Sequence, residues 1–252
     1  MKTIRKKILI TGATSGLGKK LAIFFDKKNY LICLGKSKIK IEKLKKRLKN
    51  KKHKFYTADL SEETELNGFL NYLNKIKKID TVIHCMGGGL GLKSNLINKK
   101  DFLKLLNINL FFKSEINNKI IKKIIKEKIT GNILHISSVA ALESTASIGY
   151  STAKAALMVY SKKLAKFYIK KNIFIKTVIL GAFETDDNSF ARLKKNNLKA
   201  YENFKNIRLP RKKFAKPDDI IPLIEFLISK DSNILSGSDV VADFSETNTF
   251  RN

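Results

Sequence analysis

The first 28 residues combine a short apolar segment, a glycine-rich turn and an amphipathic helix pattern. Lys7–Thr11 predicts a buried strand, and the turn Gly12-Ala-Thr-Ser-Gly16-Leu-Gly18 follows it directly. Leu17–Lys28 then carries apolar side chains along one helical face. Glycines let such a turn bend tightly and approach a ligand, and the amides at the helix N-terminus attract phosphate. This order predicts a chain that opens with a dinucleotide-binding unit.

Strand and helix patterns alternate along the rest of the 252 residues. The predicted strands are Lys7–Thr11, Tyr30–Leu34, His53–Thr57, Thr81–Cys85, Asn132–Ser137, Ile173–Ile179 and Val240–Asp243. The predicted helices are Leu17–Lys28, Lys40–Lys49, Glu62–Lys77, Asp101–Lys128, Tyr150–Lys171 and Asp218–Ser229. Such alternation favours a doubly wound, Rossmann-type α/β fold, with a seven-stranded parallel sheet flanked by helices on both faces. We expect one domain over residues 1–252.

A tyrosine and a lysine lie four residues apart in Tyr150-Ser-Thr-Ala-Lys154. Side chains at this spacing share one face of a helix, so the ammonium can lie beside the phenol. A free phenol has a pKa near 10, and a neighbouring cation lowers that pKa toward neutral pH. The pair therefore predicts a group that exchanges protons with a substrate, and Ser138 lies twelve residues before it.

Together these motifs resemble the short-chain dehydrogenase/reductase family, over essentially the whole chain. Thr11–Gly18 matches its T-G-x-x-x-G-x-G turn, and Asn109, Ser138, Tyr150 and Lys154 match its catalytic tetrad. The resemblance implies an enzyme that transfers a hydride between a nicotinamide and a carbonyl or secondary alcohol. In that scheme Tyr150 exchanges the proton and Lys154 lowers its pKa. Ser138 holds the substrate oxygen, and Asn109 positions a water in the proton relay.

Two adjacent serines compete for the role of holding the substrate oxygen. Ser137 and Ser138 both end the predicted fifth strand, and alternation sends their side chains to opposite faces. The resemblance favours Ser138, because it directly precedes Val139-Ala140.

The resemblance also implies which residues bind the cofactor. Asp59 matches the residue that contacts the adenine, and Thr185 matches one that contacts the nicotinamide carboxamide. The expected set is Gly12, Thr14, Ser15, Gly16, Leu17, Gly18, Lys36, Ser37, Asp59, Leu60, Gly87, Tyr150, Lys154, Gly181 and Thr185.

The end of the second strand bears on cofactor choice. Enzymes that prefer NAD usually place an acid there for the ribose 2′-hydroxyl. This chain has Leu34-Gly35-Lys36-Ser37 and no acid. Lys36 and Ser37 would bind a 2′-phosphate that a carboxylate would repel, so we expect NADP(H), with NAD(H) as the alternative. The alternative interpretation is that Lys36 is an ordinary surface lysine, because the chain is rich in lysine.

The chain departs from the family pattern at three places. Cys85 replaces an Asn that usually braces the fourth strand, and Leu180 stands where a Pro usually precedes Gly181. The C-terminal Asp243-Phe-Ser-Glu246 lacks the usual Gly pair. None of these positions belongs to the tetrad, so we expect an active enzyme.

The formal net charge is +29, with 51 Lys and Arg against 22 Asp and Glu. Such an excess suggests an anionic partner. Only six of the cations are Arg, however, and nucleic-acid sites generally favour Arg forks and aromatic stacking platforms. The lysines are spread over most predicted helices, which favours solvated surfaces over a nucleic-acid site.

The cysteines and histidines fit buried structural positions. Cys33 and Cys85 fall in the second and fourth predicted strands, which the first strand separates in the family's sheet order. Such strands lie about 10 Å apart, beyond disulfide reach, so both cysteines are expected to be buried and reduced. His84 and His135 are expected on adjacent strands, where two ligands alone make a poor zinc site. No metal site is expected.

The remaining expectations concern the setting of the enzyme. No uncharged apolar stretch approaches the length of a membrane span, and the N-terminus lacks a signal-peptide pattern, so a cytoplasmic protein is expected. Residues 183–216 are expected to form a lid over the substrate. Relatives suggest a homotetramer or homodimer, with the helix Tyr150–Lys171 packing across subunits.

The substrate is open between a carrier-bound 3-oxoacyl group and a sugar, because the chain resembles reductases of both kinds. An NAD-dependent dehydrogenase of a sugar or other hydroxy compound is the first alternative. A non-catalytic nucleotide sensor or nucleic-acid-binding protein on the same fold is the alternative from another class. The intact tetrad argues against the latter, since a binding protein has no need of Tyr150 and Lys154 together.

Overall fold

The structure is a computed structural model that describes residues 5–143 and 145–249. Seven strands form one parallel sheet in the order β3-β2-β1-β4-β5-β6-β7, as the sequence predicts. The strands are β1 (Lys7–Thr11), β2 (Tyr30–Gly35), β3 (Lys54–Thr57), β4 (Thr81–His84), β5 (Gly131–Ser138), β6 (Ile173–Leu180) and β7 (Asp239–Ala242).

Helices connect the strands and extend the predicted set. They are α1 (Gly16–Phe25), α2 (Lys38–Arg47), α3 (Glu63–Asn74), α4 (Lys99–Leu106), α5 (Phe112–Glu127), α6 (Ile148–Tyr168), α7 (Ser189–Asn196), α8 (Leu198–Arg208) and α9 (Pro217–Leu227). The helix predicted over Asp101–Lys128 is present and runs without a break from Lys99 to Glu127, but it contains a π-helical turn at Asn107–Phe111, between α4 and α5. A π-turn inserts one residue into the helical register, and it often marks a functional site.

Side chains alternate across the sheet and build a core on each face. In β1, Ile8 and Ile10 pack with α1, α2 and α9, whereas Leu9 packs with α3, α5 and α6. Burial of the intervening sheet on both sides explains why its strands are nearly continuous apolar runs. The expected helix layers on both faces are confirmed.

The two cysteines lie on β2 and just beyond β4, with β1 between those strands. Both are free thiols, as predicted. Cys33 is buried, whereas Cys85 is only partly buried; it follows β4, which ends at His84, one residue earlier than the sequence indicated.

The 183–216 segment has a small core of its own. Tyr201 stacks on Phe214 with ring centroids 4.8 Å apart, and Phe190 packs on the same ring at 4.7 Å. A single parallel bridge between Phe183 and Ala215 closes the base of the segment. Its helices α7 and α8 are not among the helices that the sequence predicted.

The strand order reverses direction at β1, between β2 and β4. Ligands of open α/β sheets bind beside such a point, outside the carboxyl ends of the strands. Thr11, Gly35, His84 and Ser138 end their strands at this edge. None of the helices in the two described stretches is long and apolar enough to cross a membrane.

Candidate active site

Ser138, Tyr150 and Lys154 meet at the carboxyl edge of the sheet. Strand β5 ends at Ser138, and the first turns of α6 present Tyr150 and Lys154 on one helical face. The Ser138 side chain lies beside the Tyr150 phenol and acts to lower its pKa. The Lys154 Nζ lies 5.6 Å from the centroid of the Tyr150 ring. The structure therefore brings three of the four predicted catalytic side chains together, with Ser138 and Lys154 both close to Tyr150.

The two competing serines have different surroundings. Ser137 is buried, and its hydroxyl donates to the backbone oxygen of Lys154 at 3.3 Å. Ser138 is partly exposed and accepts a hydrogen bond from the Ala140 N–H. The alternation of strand side chains thus directs Ser137 toward α6 and leaves Ser138 beside the phenol.

Burial sets the pKa values of the tyrosine and lysine. The Lys154 side chain is enclosed and donates to the Ile136 backbone oxygen at 2.9 Å. Burial lowers the pKa of Lys154 to about 8, partly opposed by the Cys85 thiol. Burial also raises the pKa of Tyr150, and the neighbouring Ser138 side chain opposes this rise. The sequence-based prediction was a lowered tyrosine pKa, but desolvation of both groups outweighs the effect of the cation. At neutral pH the phenol keeps its proton.

Asn109 holds the loop that covers Lys154. It is fully buried in the π-helical turn, and its Oδ1 accepts from the Gly88 N–H at 3.0 Å. Its Nδ2 donates to the backbone oxygens of Gly88 and Leu105. A Cβ at Gly87 would lie 2.8 Å from Asn109 Oδ1 and 3.3 Å from Lys154 Nζ, so only glycine fits against both groups.

A second lysine, Lys113, lies beneath the site and was not predicted. Its fully buried Nζ donates to the Asn109 backbone oxygen at 2.6 Å and to the Ile108 backbone oxygen at 3.3 Å. Burial, with Lys154 as the second cause, lowers the pKa of Lys113 well below its usual range. The sequence carried a signal for this burial, because Lys113 falls three residues before Ile116 on the apolar face of its helix.

The glycine-rich turn has the backbone geometry that its sequence predicts. Gly12 has a φ of +71°, and a Cβ there would lie 3.2 Å from the Met86 nitrogen. A Cβ at Gly18 would lie 2.3 Å from the Gly12 oxygen. The Leu17 side chain is buried in the core, so only its backbone can face a ligand.

Two further residues of the turn differ in exposure. Thr14 packs closely on Gly35, where a Cβ would meet the Thr14 hydroxyl at 2.6 Å. Ser15 is exposed in an extended conformation at the start of α1, and its side chain does not cap the helix. The Gly16 N–H at this helix end instead donates to the Asp187 carboxylate at 2.9 Å.

The residues expected at the adenosine end lie together at the ends of β2 and β3. Lys36 Nζ pairs with the Asp59 carboxylate at 2.5 Å, and this pair lowers the pKa of Asp59 against the effect of its burial. Ser37 caps α2 by accepting from the Lys40 N–H at 3.3 Å. Leu60 is buried in the core, so it can contribute only backbone atoms. Lys36 is thus both exposed and already paired with an acid.

The 183–216 segment brings Thr185 next to the glycine-rich turn. Thr185 is buried, and its Oγ1 would lie 3.6 Å from a Cβ at Gly16. The Asp187 carboxylate, which sequence reasoning missed, lies beside it and accepts the Gly16 N–H. Two consecutive acids, Asp186 and Asp187, in a chain of net charge +29 were the available signal.

The departures from the family pattern at Leu180 and at the C-terminus lie next to each other, because Leu180 pairs with Ala242. A Cβ at Gly181 would meet the Asp243 Cβ and the Glu246 Oε2, each at 2.7 Å. Glu246 accepts from the Ala182 N–H at 2.5 Å and pairs with Arg208 of α8 at 3.5 Å. Phe244 has a φ of +51°, a left-handed conformation that glycine would adopt without strain. The C-terminal turn thus forms without the usual glycine pair, and Glu246 links this turn to α8.

The two predicted neighbouring histidines form a neutral hydrogen-bonded network. His84 and His135 stack with ring centroids 5.1 Å apart, and Asn117 bridges their Nε2 atoms at 2.9 Å on each side. Because the Asn117 amide donates to His135, the His135 Nδ1–H faces the Ser161 hydroxyl at 2.7 Å. Burial lowers the pKa of His84 to about 3. Among residues 5–143 and 145–249, no group of three or more His, Cys, Asp or Glu side chains could hold a metal ion.

Known proteins resemble the chain over most of its length. The family model described as short chain dehydrogenase matches residues 6–196. A 3-oxoacyl-[acyl-carrier-protein] reductase of Rickettsia conorii is 26% identical over 93% of this chain and 94% of its own. The same enzyme of Buchnera aphidicola is 29% identical over 94% and 95%. The structure of a 4-hydroxyisoleucine dehydrogenase complexed with NADH superposes with a TM-score of 0.87, at 25% identity over 98% of this chain and all of that one.

Proposed function

The chain belongs to the short-chain dehydrogenase family, and from this premise we propose that it is an NADPH-dependent carbonyl reductase. Membership of the family makes it an oxidoreductase that acts on a carbonyl or alcohol with a nicotinamide cofactor. The observation that carries the finer proposal is the convergence of Ser138 and Lys154 on the protonated Tyr150 phenol.

The side chains fit the two ends of such a reaction. The nicotinamide, when bound, supplies the hydride. The Ser138 hydroxyl orients the substrate oxygen toward Tyr150, which gives its proton to that oxygen as general acid. The raised pKa of Tyr150 keeps this proton in place at neutral pH. Lys154, charged below its pKa of about 8, stabilises the phenolate that remains.

The glycine-rich turn fits a dinucleotide. The Gly16 N–H at the start of α1 donates to the Asp187 carboxylate, which supports an anion-binding role for this helix end. Lys36 and Ser37 at the end of β2 support NADPH over NADH, because a 2′-phosphate would have a cation and a hydroxyl beside it. The Asp59 partner of Lys36 reduces this preference, so the expected discrimination is modest.

A carrier-bound 3-oxoacyl thioester is the substrate that we propose first. Two relatives of the chain carry the name of a reductase for such a substrate. The net charge of +29 would attract an acidic carrier. The acetoacetyl thioester of N-acetylcysteamine is the small probe for this class.

We also propose a homo-oligomeric cytoplasmic enzyme in which residues 1–252 form one domain and the 183–216 segment acts as the lid. Exposed apolar side chains on α6 support the oligomer, with Val159 64% and Phe167 82% exposed. Ala153 of the same helix is buried within the chain, so the subunit contact would involve other residues of α6.

A titration with NADPH and with NADH tests the proposed function. The chain has no Trp, so the fluorescence of the bound dihydronicotinamide is measured without a tryptophan background. We expect saturable binding with NADPH the tighter ligand, followed by NADPH oxidation when the acetoacetyl thioester is added. If neither nucleotide bound, the proposal would be contradicted. The basic surface would then favour the alternative of a nucleic-acid-binding protein, which salt-sensitive binding to RNA would test.

A further inference from the structure

Asp187 occupies the hydrogen-bonding position at the start of α1. The Gly16 N–H donates to its Oδ1 at 2.9 Å, across 171 residues of sequence. The first turn of α1 contains no acid, and the Ser15 side chain does not cap it. An N–H group at a helix N-terminus binds anions because the helix dipole adds to the hydrogen bond. The carboxylate of Asp187 therefore supplies the negative charge that α1 itself lacks.

Two lysines surround the same acidic pair. Lys40 of α2 approaches the Asp187 carboxylate at 3.8 Å, and Lys19 of α1 approaches Asp186 at 4.0 Å. These are long contacts between partly exposed groups, since the side chain of Lys40 is 53% and that of Asp187 34% exposed. Such pairs contribute little to stability and exchange readily for another partner. The Gly16 N–H and the ammonium groups of Lys19 and Lys40 thus contact the acidic pair. The two lysine contacts are too weak to hold these side chains in one position.

The acidic pair is carried by a segment that is organised separately from the sheet. Arg192 of α7 donates to the Asp187 backbone oxygen at 2.8 Å, and Asn188 caps α7 by accepting from the Ala191 N–H. The segment packs on its own aromatic core around Phe214. Asp187 is therefore held in place relative to α7 by contacts within the segment.

We propose that Asp186 and Asp187 are internal substitutes for the cofactor's phosphates, and that Lys19 and Lys40 are phosphate-binding residues which the acids hold until the dinucleotide displaces them. This inference rests on the proposed function, because it assumes that a dinucleotide binds at the turn. Cofactor binding and release of the acidic pair are then one competitive exchange. Asp187 sets the cofactor affinity without touching the reacting atoms.

Cofactor titrations of Asp187→Asn and Asp187→Ala test the exchange. Asn keeps an acceptor for the Gly16 N–H but removes the charge, and Ala removes both. We expect NADPH and NADH to bind about threefold more tightly to Asp187→Asn and about tenfold more tightly to Asp187→Ala, because a charged hydrogen bond no longer competes. Glu202→Gln is the matched control. It removes an acid of the same segment that pairs only locally with Lys205, and its affinity should equal that of the wild type.

A second arm identifies which phosphate the lysine meets. In the Asp187→Ala background, Lys40→Gln should weaken binding several-fold. Loss for both nucleotides assigns Lys40 to the pyrophosphate that they share, and loss for NADPH alone assigns it to the 2′-phosphate. No loss for either would overturn the role of Lys40.

The outcomes separate this inference from the function on which it rests. If the wild type binds NADPH and Asp187→Ala binds it equally or more weakly, the competition is refuted while the function stands. If no variant binds either nucleotide, both the inference and the function are refuted. Equal tightening by Glu202→Gln would show a general charge effect and would also refute a specific role for Asp187.

Discussion

Lysines on the two sides of the site have opposite surroundings. On the cofactor side, Lys19 of α1, Lys36 after β2 and Lys40 of α2 are partly or fully exposed, and each faces a carboxylate. In the catalytic half, Lys113 and Lys154 are buried and donate to backbone carbonyl oxygens. Burial lowers the pKa of Lys113 and Lys154, whereas the hydrogen bond to Asp59 raises the pKa of Lys36.

The difference shows how one residue type serves two tasks. An exposed ion pair is nearly neutral in free energy, so an anionic ligand can take over the lysine at small cost. A buried amine without a carboxylate partner loses solvation, and its pKa falls toward the pH at which proton transfer occurs. The first arrangement suits reversible binding of phosphate, and the second suits chemistry.

Lys154→Met should give the largest effect on the buried side. We expect kcat to fall by roughly 10²- to 10⁴-fold, because the phenolate formed on Tyr150 loses its neighbouring cation. In the wild type, kcat should decline above about pH 8, where Lys154 loses its proton, and this decline should be absent from the residual activity of the variant. A steady-state pH profile measures both.

Lys162→Met provides the matched control for that substitution. Lys162 is exposed on the same helix, so its removal should leave both kcat and the pH profile unchanged. A similar loss in the two variants would indicate that α6 had been disturbed, and would remove the distinction between buried and exposed lysines.

Lys176→Met tests how burial changes the pKa of a lysine that lies outside the active site. Lys176 is 1% exposed on β6 and donates to Asn132 and to the Leu227 backbone oxygen, and burial lowers its pKa to about 8. The unfolded chain, with a lysine pKa of about 10.4, binds more protons between these values, so the folded state gains stability as the pH rises through this window. Relative to the variant, the wild type should gain at most about 3 kcal/mol between pH 7 and pH 10.

Urea unfolding followed by circular dichroism at the two pH values measures this gain. Lys171→Met removes an exposed lysine after α6 and should leave the pH dependence of the wild type intact. An identical slope for Lys176→Met and the wild type would mean that Lys176 is charged in the folded state throughout this range.

Lys36→Gln should give the smallest effect. Because Lys36 is exposed and already paired with Asp59, NADPH affinity should fall only about two- to fivefold. NADH affinity should not change, since NADH has no 2′-phosphate. Fluorescence titration with both nucleotides measures the ratio, and an equal loss for the two would place Lys36 at a group that they share.

Local sequence patterns were sufficient to predict the sheet and the side chains next to the Tyr150 phenol. The apolar run before Gly12 predicted β1 to the residue, and the four-residue spacing of Tyr150 and Lys154 predicted their shared face. Both features depend on residues close in sequence. The π-turn that holds Asn109 was missed, because an inserted residue leaves the apolar pattern of Asp101–Lys128 almost unchanged.

Two of the residues that sequence reasoning missed have partners that are distant in the chain. Asp187 meets Gly16 across 171 residues, and Glu246 meets Ala182 across 64. The tyrosine pKa was misjudged for a related reason, because desolvation depends on all the elements packed around Tyr150 and not on Lys154 alone. Spacing predicts which groups share a face, but burial requires the folded chain.

Turnover by Tyr150→Phe tests the central claim most directly. The assay follows NADPH oxidation with the acetoacetyl thioester of N-acetylcysteamine, alongside NADPH binding by fluorescence for the wild type and the variant. If Tyr150 is the general acid, the variant should bind NADPH with nearly unchanged affinity while its kcat falls by at least about 10²-fold. A variant that binds NADPH and retains the wild-type kcat would contradict the account, because another group would then deliver the proton.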